Sequence, residues 1–499
     1  MAIAAVAKQQ NLTYKGSIYE HPYLKQRIFH KIAGKHKKQH YTYEGQLILG
    51  ERRIDVLKIT QLHTHADFTQ NYYEQINIEC MIPISDYQSI SDHLTGDARD
   101  LKFKLIKKKT KGGGYGNVVK DPTYIYYQAH IHQTAQSGTD RATTTPIKTP
   151  LDDYTKINID LVPMGVHAMK DTVVGGIIRP GKDSRLSPLE TTMAILDHYN
   201  KSILGQENLN VPMEDSIPLK FNVVESDNDN HYPFYHIPQN TKLSMLPHYL
   251  QKKYGLYAQG LGFFYKSFFD IQSSSQHNEC FLFPKHRVEF NKPFGKKTLH
   301  IVKIPTMDSS RLDVTSSFEN DQDTNPNAVR DYWVISHHEH RVISGRNVVE
   351  HSVGDSARSI KQQNILDKFR SVDNGRLFVD RSQNTVEQLY DKRKSTRHIP
   401  MTTSDMSSHN VFEASEILAD QRASKVMIPW NESDVELLYP GMPVRYYYLK
   451  NDNTVGYMEG ILQGYKHQLT TKNDNIKDTS NESSAVLIVS FIDHRDKTL

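Results

Sequence analysis

The sequence predicts a mainly β protein with α+β insertions, and three observations carry that prediction. Apolar and polar residues alternate in successive short runs from Gly45 to Met164. The period then lengthens to that of a helix at Ser187 and again near Ser244. Strand-like runs resume in the last sixty residues, after Pro440-Gly441. Period two places alternate side chains on opposite faces of a sheet, whereas 3.6 gathers them into one helical stripe. At 499 residues the chain exceeds one hydrophobic core, and three or four domains are expected.

Residues 1–44 are basic and His-rich without periodicity and are expected to form an extended arm. The first β-barrel or sandwich domain is expected over 45–185. GQLILG, IDVLKITQLHTH, QINIECMIPI, LKFKLIK, TYIYYQAHIH and INIDLVPM supply its strands, and KGGGYGN between the fourth and fifth reads as a hairpin. The Thr/Ser/Pro stretch SGTDRATTTPIKTP is a long loop.

A helix plus an α+β middle domain is expected over 186–305. Ser187 is placed to cap the first helix, Pro188 to fill its first turn and Glu190 to return a bond to the cap. Leu189, Met193, Leu196 and Ile203 then share one stripe. A second helix begins near Ser244, with Pro247 in its first turn, Leu246, Leu250 and Tyr254 on one face, and Gly255 stopping it in a left-handed conformation. FLFP, HRVEF and TLHIVKI are expected to close this region as strands.

Residues 306–425 read as a polar linker and a mixed α/β region. TMDSSRLDVTSSFENDQDTNPNAVR is the linker, Asp331–Val349 is strand-like, and Ser356–Phe369 and Phe412–Ala423 are helix candidates. Residues 426–499 form a small C-terminal β-barrel part, a three-stranded meander of PGMPVRYYYLK, TVGYMEGILQGYKHQL and SSAVLIVSFIDHR. TTKNDNIKDTSNESS makes a long polar excursion before the last strand.

Composition narrows the function. A net charge of +4 carries no global signal for a polyanion partner. The dense basic run Lys102–Lys111 reads as a solvated strand end and hairpin. Twenty-eight tyrosines against two tryptophans favour sheet surfaces and wet interfaces, because a Tyr ring covers apolar area while its hydroxyl keeps a partner. Cys80 and Cys280 are too few and too far apart for a disulfide framework or a zinc site, and buried free thiols are expected. No apolar run approaches a bilayer span, and the N-terminus lacks a signal pattern. The chain is therefore expected neither to be secreted by the usual route nor to be an integral membrane protein.

Three His-x-His pairs invite a metal reading: His63/His65, His130/His132 and His338/His340. On a strand each pair shares a face, and Asp67 follows the first pair as in metal-dependent amidohydrolases. That chemistry needs a (β/α)₈ barrel with further ligands, and the alternating strand–helix pattern is missing. Surface strand histidines are the expectation, with a metal-dependent hydrolase as a minor alternative. Gly112–Gly116 lacks the ending of a phosphate loop and reads as a hairpin. No catalytic, cofactor-binding or metal-ligating residue is assigned. Tyr446 and Tyr448 share one strand face and Tyr447 takes the other, as in ordinary sheet packing.

Three segments carry a resemblance. DVLKITQLHTHADFTQNYYEQINIECMIPISDY resembles the first-barrel strands of the baseplate hub proteins of contractile-tailed bacteriophages, in which Asp-Phe and Asn-Tyr mark the turn. IPQNTKLSMLPHYLQKKYGLYAQGLGFFYKS resembles the helical element before their second barrel, and PGMPVRYYYLKNDNTVGYMEGILQGYKHQL their closing barrel. The three segments together cover about a fifth of the chain. It implies two tube-like β-barrel domains and a homotrimer forming a ring that joins the hexameric tail tube to the trimeric central spike. It further implies a virion tail location after assembly in the host cytoplasm. The implied partners are the tail tube protein, the central spike protein and baseplate wedge proteins, with no membrane, no specific nucleic acid, no cofactor and no enzymatic activity. A β-rich tail protein that binds a host receptor or glycan would use the same tyrosines and loops, and is the alternative.

Overall fold

The computed structural model describes residues 40–87, 90, 101–110, 123–132, 154–179, 186–200, 220–228, 230–270, 275–287, 298–303, 332–336, 341–344, 348–352, 377–380, 385–388, 396–399, 412, 416, 419–420, 423–431, 435, 438–450, 454–471, 481–491 and 497–498. The expected linker at 306–330, the helix candidate Ser356–Phe369, the glycine run 112–116 and the pair His338/His340 lie outside them.

The first seven strands are β1 (His40–Leu49), β2 (Arg52–Asp55), β3 (Lys58–Asp67), β4 (Gln75–Pro83), β5 (Leu101–Thr110), β6 (Thr123–His132) and β7 (Tyr154–Pro163). They lie in the order β3-β4-β7-β6-β5-β1-β2, and every pairing is antiparallel. Alternation is strict where it matters. Ile76, Ile78, Cys80 and Ile82 of β4 turn to the same core as Ile157, Ile159 and Leu161 of β7. Leu101, Phe103 and Leu105 of β5 join them, as the alternation in LKFKLIK predicts. Truncating any one of these isoleucines, leucines or Phe103 to Ala costs about 2–5 kcal/mol. The strand pattern expected from Gly45 begins earlier, at His40, because all ten residues of β1 find partners along the ten of β5.

The chain leaves β7 into a short helix that the sequence pattern did not signal, α1 (Met164–Asp171), and then β8 (Val173–Ile178). Helix α2 (Pro188–Tyr199) starts as expected: Glu190 N–H donates to Ser187 Oγ at 3.2 Å, and Ser187 N–H donates to the Glu190 carboxylate at 2.7 Å. Its most buried face is Pro188, Thr191, Thr192, Leu196 and Tyr199, while Leu189 and Met193 pack at the margin. Strands β9 (Lys220–Val223) and β10 (Tyr235–Lys242) follow, then a single 3₁₀ turn at Leu243–Met245 and α3 (Leu246–Tyr254). Leu246, Pro247, Leu250 and Gln251 are its buried face.

Gly255 ends α3 with φ 77° and ψ 127°, and this corrects the left-handed conformation expected of it. The positive φ holds, but the chain exits extended. Gln251 is the reason: its Oε1 accepts from the backbone N–H of Leu256 and of Tyr257 at 2.9 Å each, pinning the exit inside the core. Asn228 Nδ2 donates to the carbonyls of Tyr254 and Gly255 at 2.8 Å, satisfying two of the helix's terminal acceptors.

Strands β11 (Leu261–Asp270) and β12 (Ser275–Pro284) pair antiparallel, and β12 pairs β9 in parallel. FLFP therefore lies in a strand as expected. The described residues of HRVEF, His286 and Arg287, are outside any strand.

The remaining strands are β13 (Leu299–Lys303), β14 (Tyr332–Ser336), β15 (Arg341–Ser344), β16 (Val348–Ser352), β17 (Leu377–Asp380), β18 (Thr385–Gln388), β19 (Thr396–Ile399), β20 (Ser424–Asn431), β21 (Pro443–Leu449), β22 (Val455–Thr471), β23 (Asn481–Phe491) and β24 (Lys497–Thr498). TLHIVKI, expected to close the middle unit, instead supplies β13, which pairs in parallel with both β14 and β21. A strand flanked in parallel on both sides is covered on both faces, and Leu299, His300, Ile301 and Val302 are accordingly all buried, the His300 ring meeting the Tyr447 hydroxyl at 2.9 Å. The C-terminal meander forms as expected, with β22 antiparallel to both β21 and β23.

β22 is seventeen residues long, and its second half pairs β3 from Gly464↔Asp67 to Thr470↔Gln61. This ladder joins the C-terminal strands to the first seven, so that fifteen strands make one mixed sheet. The fold is mainly β, built around that sheet. Strands β16 to β19 form a separate four-stranded sheet. No helix among the described residues is long and apolar enough to cross a membrane.

Candidate functional site

Where β22 joins β3, the polar face of the sheet is concave. The registers place five residues from five consecutive strands directly opposite one another: Gln468 of β22, His63 of β3, Asn77 of β4, Asp160 of β7 and His130 of β6. Neighbouring strands lie about 4.8 Å apart, so this row runs about 19 Å across the sheet. Lys466 and His65 make a second pair one step along. These residues line a cavity of about 780 Å³.

Helix α1 closes one side. It starts immediately after β7, and the helical period sets Lys170 over Tyr73, in the loop between β3 and β4. Lys170 Nζ lies 4.3 Å from the Tyr73 ring centre and donates to the Tyr73 hydroxyl at 2.9 Å. His167, one turn earlier, stands 6.3 Å from the His130 ring and 3.5 Å from Asp171. Within the row, Asn77 Nδ2 donates to Asp160 at 2.8 Å, and His63 Nε2 meets Gln61 Oε1 at 3.1 Å.

His63, His65 and His130, drawn from two of the three His-x-His pairs, thus share one cavity. Among the described residues no group of three or more His, Cys, Asp or Glu could hold a metal ion. Asp67 is committed elsewhere. Its Oδ1 accepts from Thr69 N–H at 3.0 Å, Thr69 Oγ1 at 2.8 Å and Gln70 N–H at 3.1 Å, capping the turn after β3.

A second polar cluster is buried between β12, β22 and β23. His286 Nε2 lies 2.6 Å from Asp420 Oδ1, and its Nδ1 lies 3.1 Å from Ser490 Oγ and 3.2 Å from Gln463 Nε2. Lys285 Nζ lies 2.7 Å from Asp420. Burial pushes the His286 pKa below its usual value, and the nearby Asp420 only partly offsets that. Burial also opposes ionisation of Asp420, but the bonds and charges of His286 and Lys285 outweigh it and hold the carboxyl well below the usual carboxylate range. The arrangement is an ionised Asp420 paired with Lys285 and accepting from a neutral imidazole. Ser490 and His286 are both fully buried, so the cluster fastens rather than reacts.

The tyrosine run behaves as sheet packing. Tyr446 and Tyr448 stack at 5.8 Å on one face, and Tyr447 stacks on His300 at 5.7 Å on the other. Both cysteines are buried free thiols, and burial pushes the Cys80 thiol up to about 12. In the basic run, Leu101, Phe103 and Leu105 are core, and even Lys107 is buried. Lys104 Nζ lies 3.9 Å above the Tyr124 ring.

Asn77, Asp160, Lys170 and Lys466 were not singled out from the sequence. Alternation assigns each strand residue to its polar face, but only the register brings them to one row.

No protein-family model matches the chain, and no curated protein matches it. Solved structures similar in trace include the tail protein from Neisseria meningitidis MC58, at 8% identity and TM-score 0.40, over 90% of this chain and 96% of that one. The 43 kDa tail protein of prophage MuSo2 from Shewanella oneidensis aligns at 8% identity and TM-score 0.42, over 91% and 98%. The Francisella PdpA-VgrG complex in its lidded form aligns at 9% identity and TM-score 0.42, over all of this chain and 59% of that one.

Proposed function

We propose that this chain is the structural hub of a phage tail baseplate, assembling as a homotrimeric ring that joins a hexameric tail tube to a trimeric central spike. The observation that carries the reading is the β22–β3 ladder, which fuses two strand-rich units of one chain into a single sheet. A trimer of such two-unit chains offers six similar β surfaces to a sixfold tube and three copies to a threefold spike. Two of the three segments that resemble hub proteins meet at this ladder, since β3 and β4 come from the first and β22 from the last. The third contains α3 and most of β11, whose buried side chains share one hydrophobic core with Ala66 of β3 and with Leu462 and Tyr465 of β22.

In this reading the apolar side chains of Val173, Ile177, Phe234 and Met245, each about half exposed, serve contacts with neighbouring baseplate subunits. The chain acts by shape and contact, without a cofactor or a reaction of its own.

Native mass measurement across a concentration series tests the proposal. A species at three times the 57.4 kDa chain mass is expected, growing with concentration by mass action. A virion map that places the chain at six or more peripheral positions, off the tail axis, would overturn it.

A further inference from the structure

We infer that the concave polar face at the β22–β3 junction is a binding site for an acidic oligosaccharide. This goes beyond the structural reading and does not depend on it. The cavity of about 780 Å³ falls within the usual size of ligand sites and suits a few sugar rings. Its floor is the row Gln468, His63, Asn77, Asp160 and His130. These are amide, imidazole and carboxylate groups, which donate to and accept from hydroxyls in fixed planes. Their spacing of about 4.8 Å from strand to strand presents a regular polar ladder to a chain of sugars lying across the strands.

The charge selects an acidic ligand. Lys466 and Lys170 line the cavity, and among the described residues Asp160 is the only carboxylate lining it, one of its oxygens accepting from the Asn77 amide. Lys170 is held in place by Tyr73, so part of its ordering entropy is spent before a ligand arrives.

The same features disfavour a nucleic acid strand. Among the described residues Tyr73 is the only tyrosine, phenylalanine or tryptophan lining the cavity, and the Lys170 ammonium covers its face, so the described lining offers bases no free stacking platform.

The test is a glycan array printed with uronate-containing, sialylated and neutral oligosaccharides, probed with the full chain. Calorimetry on the best acidic binder follows, with oligothymidylate as a competitor. Acidic glycans are expected to bind at least tenfold more tightly than neutral ones of equal length. The Lys170→Gln/Lys466→Gln variant is expected to lose at least tenfold while keeping the parent melting temperature. His63→Gln should weaken both acidic and neutral binding. No glycan bound, equal binding of acidic and neutral glycans, binding unchanged in the double lysine variant, or tighter binding of oligothymidylate would each overturn the inference.

Discussion

The ring of Phe412 fills the space that a side chain on Gly255 would need: an added Cβ would stand 2.4 Å from two of its ring carbons. Between residues 412 and 420 four positions are described, Phe412, Glu416, Ala419 and Asp420, and all four are helical. Their spacing puts them on one helical face. Glu416 lies similarly against Gly260, and Asp420 reaches Lys285 and His286. A single face of this stretch is thus fastened to the turn after α3 and to the end of β12.

Gly255→Val is expected to destabilise the protein by about 1–3 kcal/mol through the positive φ alone, and more through the Phe412 clash. Gly255→Ala, tested with and without Phe412→Ala in denaturant unfolding, separates the two. A favourable coupling in the double variant is expected, because removing the ring relieves the clash. Strict additivity would show that the ring does not set the tolerance at 255.

Ser187→Ala should cost about 1 kcal/mol, since it removes the acceptor for Glu190 N–H while α2 keeps its packing. Ser187→Gly should cost only a few tenths. Chemical denaturation of the two variants checks the order, and a reversed order would remove the capping box from the account of α2.

Stability should fall on acidification in the window where His286 titrates. Its folded pKa lies below the usual 6.5, so the unfolded chain takes up the proton first. The contribution is therefore complete above pH 6.5 and lost as pH drops below it. Asp420 adds a second loss of the same sign below about pH 3.8, where its unfolded carboxyl protonates. His286→Gln should flatten the stability profile between pH 7.5 and 5.5, and an unchanged slope would assign the acid sensitivity elsewhere. Asp420→Asn should cost about 1–2 kcal/mol at pH 7.5, discounted for the 38% exposure of the Asp420 side chain.

Replacing His63 and His65 together with Ala should leave no metal-dependent activity to lose, because Asp67 caps a turn and supplies no ligand. Metal analysis of the purified protein before and after chelation checks this. Stoichiometric zinc or iron that survives chelation and disappears in the double variant would restore the hydrolase reading.

Local rules written into the sequence determined the elements. Ser187, Pro188 and Glu190 specify the start of α2 by bonds spanning three residues. Alternation in β4, β5 and β7 specifies which side chains face the core, because the pleat enforces period two. The positive φ at Gly255 was legible too, since a helix that stops at glycine needs it. Only the tertiary structure decided what meets what. The ψ of Gly255 follows from the side chain of Gln251 and the loop it pins. β13 left the middle unit for the large sheet because two distant strands, β14 and β21, cover both its edges. The row from Gln468 to His130 spans residues more than 300 positions apart, and nothing within one strand encodes the register of another. Strand pairing is set by the global minimum of burial and hydrogen bonding, so a site assembled across five strands becomes visible only once every register is fixed.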